Sequence, residues 1–122
     1  KFIKKFESKK KIHYLSNVNP PTFPNGFDIE IFTFQILKYF YNQKLTKNEK
    51  EHVTIKMKNS NFKKVNIKNK TNLRKFRVTL DNKRDLIFFK RLFKLLNYDY
   101  TVSYKKILNL IKTKPKLFNK DI

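Results

Sequence analysis

The sequence lacks several residue types, and each absence excludes a kind of site. It contains no cysteine, which excludes disulfides and thiolate chemistry and fits a reducing, cytoplasmic compartment. A single glycine cannot build a glycine-rich phosphate loop. No window approaches the roughly 20 consecutive apolar residues of a membrane span, so we expect no membrane partner. Without paired cysteines or HExxH spacing, a zinc site is not expected.

Acidic residues are also scarce: the chain has nine aspartates and glutamates and thirty lysines and arginines, which gives a net charge of +21. Such a charge is typical of nucleic-acid binding, because clustered lysines displace counterions from phosphates. The lysines are spread over every segment, however, and the bias toward Lys, Asn, Ile and Phe fits an AT-rich genome. A solvated basic surface that attracts anionic substrates such as nucleotides is the plainer interpretation.

Alternation and helical periodicity predict an α/β or α+β fold, with a mixed sheet flanked by helices. We expect one partial domain over residues 1–122, part of a longer protein. The predicted helices cover residues 1–10, 33–42, 46–57, 86–96 and 103–112, and the predicted strands cover 12–18, 27–32, 62–67 and 76–80. Thr33 is an expected helix cap, and Thr46 with Glu49 forms an expected capping box.

Among the nine carboxylates, those at the ends of predicted strands are candidates for a site, because ligands bind outside the carboxyl ends of strands in open α/β sheets. Asp28 and Glu30 share one strand face by the period of two and follow a proline-rich loop that contains Gly26. Asp81 ends another predicted strand and suits a divalent cation. For Asp85, capping of the next helix is the favoured interpretation. An exposed edge face remains the alternative for Asp28 and Glu30, as capping does for Asp81.

Two further residues are candidates for binding. His52, beside Glu51 on a predicted helix, suits an anionic group or proton transfer, although a lone histidine is more often structural. Arg77 belongs to a sequence in which lysine greatly outnumbers arginine, so it indicates bidentate pairing with a carboxylate or phosphate. Its alternative role is a salt bridge across the sheet.

Three segments together carry a family resemblance. They are residues 16–32 (SNVNPPTFPNGFDIEIF), residues 51–54 (EHVT) and residues 73–86 (LRKFRVTLDNKRDL), and residues 104–118 add a similar closing helix. In order and spacing they resemble the cytidylyltransferases of spore coat polysaccharide biosynthesis. The relatives of that family include enzymes that activate acylneuraminate and 3-deoxy-manno-octulosonate.

The resemblance implies a nucleotide-diphospho-sugar transferase fold of the glycosyltransferase-A-like kind. It also implies the reaction of CTP with an acidic sugar to give CMP-sugar and pyrophosphate, with Mg²⁺. By the same resemblance Asp81 is a metal ligand, and the substrate-binding residues are Gly26, Asp28, Glu30, His52 and Arg77. No residue is assigned a catalytic role.

The sequence also departs from the family. The family's first half, with its nucleotide loop and a GDxP metal motif, is missing, so the chain resembles only the C-terminal half. Lys50 stands where the family has arginine, and Ile55 and Lys56 replace a Pro-Tyr pair. We expect the 122 residues alone to be inactive, and the full-length enzyme to be a homodimer joined through residues 33–60.

Two other hypotheses remain open. One is a basic nucleic-acid-binding module in which Tyr14, Phe32 and Phe62 stack on bases, although nucleic acid is the less favoured partner. The other is a decayed gene fragment without a function of its own.

Overall fold

The structure, a computed structural model, describes residues 2–9 and 11–115. These residues form two compact units. The first unit comprises the described residues of Lys1–Phe23 and Asp28–Leu73, and the second comprises those of Pro24–Phe27 and Arg74–Ile122. The single partial domain expected from the sequence stays a prediction.

The first unit contains a three-stranded mixed sheet, which confirms the predicted sheet type. Its strands are β1 (Tyr14–Ser16), β2 (Glu30–Phe32) and β3 (Lys64–Asn66), in the order β2-β1-β3. β1 pairs with β2 in antiparallel fashion and with β3 in parallel fashion. All three residues of the central strand are buried, as expected for a strand covered on both faces.

Four helices accompany this sheet: α1 (Phe2–Glu7), α2 (Phe34–Tyr41), α3 (Lys47–Glu51) and α4 (Ile55–Asn59). Thr33 caps α2, and its side chain accepts a hydrogen bond from the Ile36 N–H. Thr46 and Glu49 form the predicted capping box of α3. Both cap predictions are therefore confirmed.

The continuous helix predicted over residues 46–57 is wrong, because the chain leaves the helical path at His52. There α3 ends, and α4 begins only at Ile55. The His52 N–H donates to the Asn48 carbonyl, and the Ile55 N–H donates to the His52 carbonyl, which closes a turn between the two helices. The β-branched residues Val53 and Thr54 favour such a break, since they lower helix propensity.

The core of the first unit is formed by residues of the sheet and of α2 and α4, together with Phe62. Its buried members are Tyr14, Ile36, Phe40 and Met57, with Phe32, Leu37 and Phe62 packed against them. Met57 is fully buried, so its short helix is held by packing, since five residues cannot sustain a helix by themselves.

The second unit is built on two helices, α5 (Lys83–Leu95) and α6 (Tyr104–Thr113), capped by Asn82 and Ser103. Its buried core consists of Val78, Phe88, Leu92 and Leu96. Residues 116–118 of the predicted closing segment lie outside the described residues.

The strand predicted over residues 76–80 is wrong. In the part of the chain that the structure describes, this segment makes only an isolated parallel bridge between Asn25 and Arg77. A strand needs a partner along its length, and here the loop offers only one residue.

No helix among the described residues is both long and apolar enough to cross a membrane.

Candidate functional site

The proline-rich loop is held in place by a side chain that the sequence interpretation missed. The Asn66 Oδ1 accepts hydrogen bonds from the Ser16 hydroxyl and from the Asn19 N–H, both at 3.1 Å. Its Nδ2 donates to the Pro20 carbonyl at 3.1 Å. Asn66 therefore joins the end of β3 to the start of the loop, and no local pattern points to this role.

Two polar residues within the loop motif also bind backbone. The Asn17 side chain is buried, and its Oδ1 accepts the Ile29 N–H at 2.7 Å. The Thr22 hydroxyl accepts the Asn69 N–H, also at 2.7 Å. Because buried backbone groups need partners, these side chains specify the path of the loop.

Gly26 lies in the second unit, where the chain passes close to another backbone segment. Its φ is +102°, and a Cβ there would overlap the Val78 carbonyl oxygen and lie 2.7 Å from the carbonyl carbon. The preceding residue, Asn25, is bonded to the same segment through its backbone. Its N–H donates to the Phe76 carbonyl at 2.8 Å, and its carbonyl accepts the Val78 N–H at 2.7 Å. Glycine is required at this position because any side chain would push the two segments apart.

Glu30 begins β2 and forms an ion pair, with 2.7 Å between the Lys58 Nζ and its Oε1. Partial burial raises the pKa of Glu30, but the Lys58 ammonium together with the nearby Thr54 and Tyr14 hydroxyls outweighs it, so the net pKa is lowered. Burial and the adjacent Glu30 carboxylate raise the pKa of the Tyr14 hydroxyl. Glu30 therefore stays ionised within a polar network of the first unit.

Asp28 and His52 are both exposed residues of the first unit. Because β2 begins only at Glu30, Asp28 precedes the strand, and the predicted shared strand face does not extend to it. His52 is the C-terminal cap residue of α3 instead of lying within a longer helix.

Arg77, Asp81 and Asp85 come together in the second unit. The Arg77 Nη1 donates to the Asp85 Oδ1 at 2.7 Å, and Nη2 donates to the Asp85 Oδ2 at 3.0 Å. Nη2 also donates to the Asp81 Oδ2 at 2.6 Å. Hydrogen bonds to Asp81, and then to Asp85, raise the pKa of Arg77. Arg77 therefore forms a bidentate pair with a carboxylate of the chain itself, Asp85, so it takes part in a salt bridge as the alternative interpretation expected, although this bridge lies within the second unit and not across the sheet.

Asp85 is not the helix cap that we expected. Asn82 caps α5, and its Oδ1 accepts the Asp85 N–H at 3.0 Å. Asp85 lies in the first turn of the helix and is completely buried, and its Oδ2 accepts the Asp81 N–H at 3.0 Å. The cap and the buried acid together fix the turn that carries Asp81.

The Asp81 side chain is 66% exposed and offers a hard oxygen donor. Among the described residues, no three His, Cys, Asp or Glu side chains are grouped so that they could hold a metal ion. Mg²⁺ commonly binds through one or two carboxylates and completes its shell with water and substrate phosphates. Asp81 thus fits the role of one ligand among several.

The aromatic residues expected to stack on bases belong to the core instead. Tyr14 is 2% exposed, and Phe32 and Phe62 pack against the buried cluster of the first unit. They do not form the open aromatic surface that single-stranded nucleic acid requires.

Comparison with known proteins identifies a similar solved structure. It is a cytidylyltransferase from Leptospira borgpetersenii serovar Hardjo-bovis (strain JB197), with a TM-score of 0.86 and 25% sequence identity. The match covers 99% of this chain and 52% of the other, so the chain spans about half the length of that protein. No protein-family model matches the sequence, and no curated protein matches it. The structural similarity supports the resemblance to cytidylyltransferases.

Proposed function

We propose that the chain is the C-terminal portion of a cytoplasmic nucleotidyltransferase for surface polysaccharide biosynthesis, with a glycosyltransferase-A-like fold. In this proposal the complete enzyme couples CTP to an acidic sugar and releases pyrophosphate, giving a CMP-sugar. The observation that carries the proposal is the similarity to a cytidylyltransferase over 99% of the chain. The match to only 52% of that protein is consistent with a missing portion.

Asp81 is the proposed ligand of Mg²⁺, which would neutralise charge on the nucleotide phosphates. Its exposure supports this role, and the Arg77 bond keeps the carboxylate in one place. The proposed substrate-binding residues are Gly26, Asp28, Glu30, His52 and Arg77. The exposure of Asp28 and His52 supports their access to a substrate, whereas Glu30 would act while paired with Lys58.

The test is pyrophosphate release from CTP by a full-length enzyme that contains this sequence, with a panel of acidic sugars as acceptors. We expect Asp81→Asn to reduce turnover strongly while the circular dichroism spectrum is unchanged. Asp99→Asn is the matched control, because Asp99 is an exposed aspartate bonded to Thr101 and lies outside the cluster. Equal turnover of the Asp81 variant and the control would contradict the metal role.

The 122-residue chain alone should release no pyrophosphate, because no group of three or more possible metal ligands is found among the residues that the structure describes. Release of pyrophosphate from CTP by the purified chain would contradict this expectation.

A homodimer of the full-length enzyme is part of the same proposal. Its support is the exposed apolar surface of residues 33–60, where Phe34 is 71% and Tyr41 is 80% exposed. A groove of about 760 Å³ in this segment is lined by Tyr41 together with Leu37, Phe40 and Met57. Light scattering that shows a monomer at high concentration would exclude the dimer.

A further inference from the structure

Another cleft of the first unit is lined by none of the residues that the proposed function assigns to substrate or metal. It has a volume of about 450 Å³, and its lining residues are Tyr39, Phe40, Gln43, Ser60, Asn61 and Phe62. They come from the C-terminal end of α2 and just beyond it, and from the segment that joins α4 to β3. None of these lining residues is charged, although the chain carries thirty lysines and arginines. The volume lies in the range of small-molecule sites, roughly 300–1,000 Å³.

Tyr39 gives this cleft an exposed aromatic ring that is held in place. The residue is 53% exposed. Its ring makes T-shaped contacts with Phe40 and Phe62, with ring centroids 5.1 Å and 5.3 Å apart. Phe40 and Phe62 also touch each other, at 5.8 Å between centroids. Each ring therefore braces the other two, and Tyr39 keeps more than half of its surface open to a ligand.

Gln43 and Asn61 add polar groups to the cleft. In the part of the chain that the structure describes, neither amide side chain makes a hydrogen bond within the protein. The Ser60 hydroxyl, by contrast, donates to the Met57 carbonyl at 2.8 Å. A side-chain amide carries both donors and an acceptor, so it matches the edge of a nucleobase, which also presents both.

The charge around the cleft favours a ligand that is anionic outside its planar part. Lys38, Lys44 and Lys63 are exposed, and each adjoins a lining residue in the sequence. With a net charge of +21, the chain attracts anions. The same charge repels an ammonium ligand, and the three rings touch one another instead of enclosing a cation. A neutral sugar would gain nothing from the lysines.

We propose that this cleft binds the base of a free nucleotide. The base stacks on Tyr39, its polar edge meets the amides of Gln43 and Asn61, and the phosphate meets the neighbouring lysines. Of the three lining rings, only Tyr39 is exposed, so the cleft accommodates one base. A single strand, by comparison, is bound by stacking successive bases on several rings.

The first experiment titrates cytidine 5′-monophosphate, as the probe nucleotide, into the 122-residue chain and follows the side-chain amide signals of Gln43 and Asn61 by NMR. Tyr39→Ala should weaken binding about fivefold or more, because a stacking contact is lost. Tyr41→Ala is the matched control. It removes an exposed tyrosine of the same helix that points about 160° away from Tyr39, and it should bind as the unaltered chain does.

Tyr39→Phe keeps the ring and should also bind as the unaltered chain does, which gives a second test if the alanine variant fails to fold. Loss of binding in a folded Tyr39→Phe variant would overturn the proposal. Equal affinity of Tyr39→Ala and the unaltered chain would overturn it as well, as would an equal loss in Tyr39→Ala and Tyr41→Ala, or no binding to the unaltered chain.

The second experiment compares ligands and separates base recognition from attraction by charge. Ribose 5-phosphate, which lacks the base, should bind more weakly than the nucleotide and should not respond to Tyr39→Ala. Equal binding of the two would reduce the site to a basic surface and overturn the proposal. Binding of a cytidine octanucleotide without binding of the mononucleotide would assign the cleft to single strands and overturn it too. Neither experiment involves nucleotidyl transfer, so the results stand or fall independently of the proposed function.

Discussion

Replacement of Gly26 by alanine tests the close approach of the loop to the segment that carries Arg77. The backbone of Gly26 has a φ of +102°, and a methyl group added there would lie against the carbonyl of Val78. For an ordinary residue such a backbone conformation costs about 1–2 kcal/mol. The neighbouring atom is backbone, so relief of the overlap has to move the segment itself.

Movement of the segment around Val78 would also weaken two backbone hydrogen bonds. One runs from the Asn25 N–H to the Phe76 carbonyl, and the other runs from the Val78 N–H to the Asn25 carbonyl. Each is worth about 1 kcal/mol net. The expected loss for Gly26→Ala is therefore roughly 2–4 kcal/mol, a large part of the roughly 5–15 kcal/mol that stabilises a typical domain.

Urea denaturation followed by circular dichroism measures this loss directly, because the midpoint shifts while the slope stays constant. Asn25→Ala is the matched control, since it introduces alanine at the preceding position and keeps both backbone hydrogen bonds. Its expected effect is within about 0.5 kcal/mol of zero. If Gly26→Ala costs no more than Asn25→Ala, the proposed steric requirement for glycine is refuted.

Two further predictions concern the first unit. Thr46→Ala removes the capping box with Glu49 and should cost about 1 kcal/mol in urea denaturation, whereas Thr46→Ser should keep most of that stability. A cost as large for serine as for alanine would contradict the cap. Lys58→Met should raise the pKa of Glu30, because burial remains while the ion pair is lost; a ¹³C titration of its carboxyl measures this. The lowered pKa in the unaltered chain means that Glu30 contributes stability above its unfolded pKa of about 4.3, lost as the pH falls through the folded value. Lys56→Met, which removes a lysine from the same helix, should leave the Glu30 titration unchanged.

The helix caps show what could be predicted from the sequence. Thr33 and Thr46 with Glu49 were predicted as caps, and both threonines accept N–H groups as expected; Ser103, at the start of the last predicted helix, also acts as a cap. Their hydrogen bonds span only three residues, so the local sequence contains all the information that they require. The three strands were predictable for a similar reason, since alternation along each strand is local. Their antiparallel and parallel pairing joins distant segments of the chain.

The candidate site was predictable only in part. Arg77 and Asp81 were identified from residue type and position, and the structure brings them together. The role of Asp85 was not predicted, because its burial depends on the packing of α5 and its partner Arg77 lies eight residues away. Gly26 was assigned to a substrate pocket, whereas the structure adds a requirement set by the Val78 backbone.

The sequence by itself determined the caps, the location of the three strands and the resemblance carried by its motifs, because each depends on neighbouring residues. Only the tertiary structure decided which carboxylate is buried and which is exposed, and which side chain holds the proline-rich loop. Asn66 reaches Ser16 across 50 positions of the chain. Contacts at such separations exist only after the core has packed, and no local pattern records them.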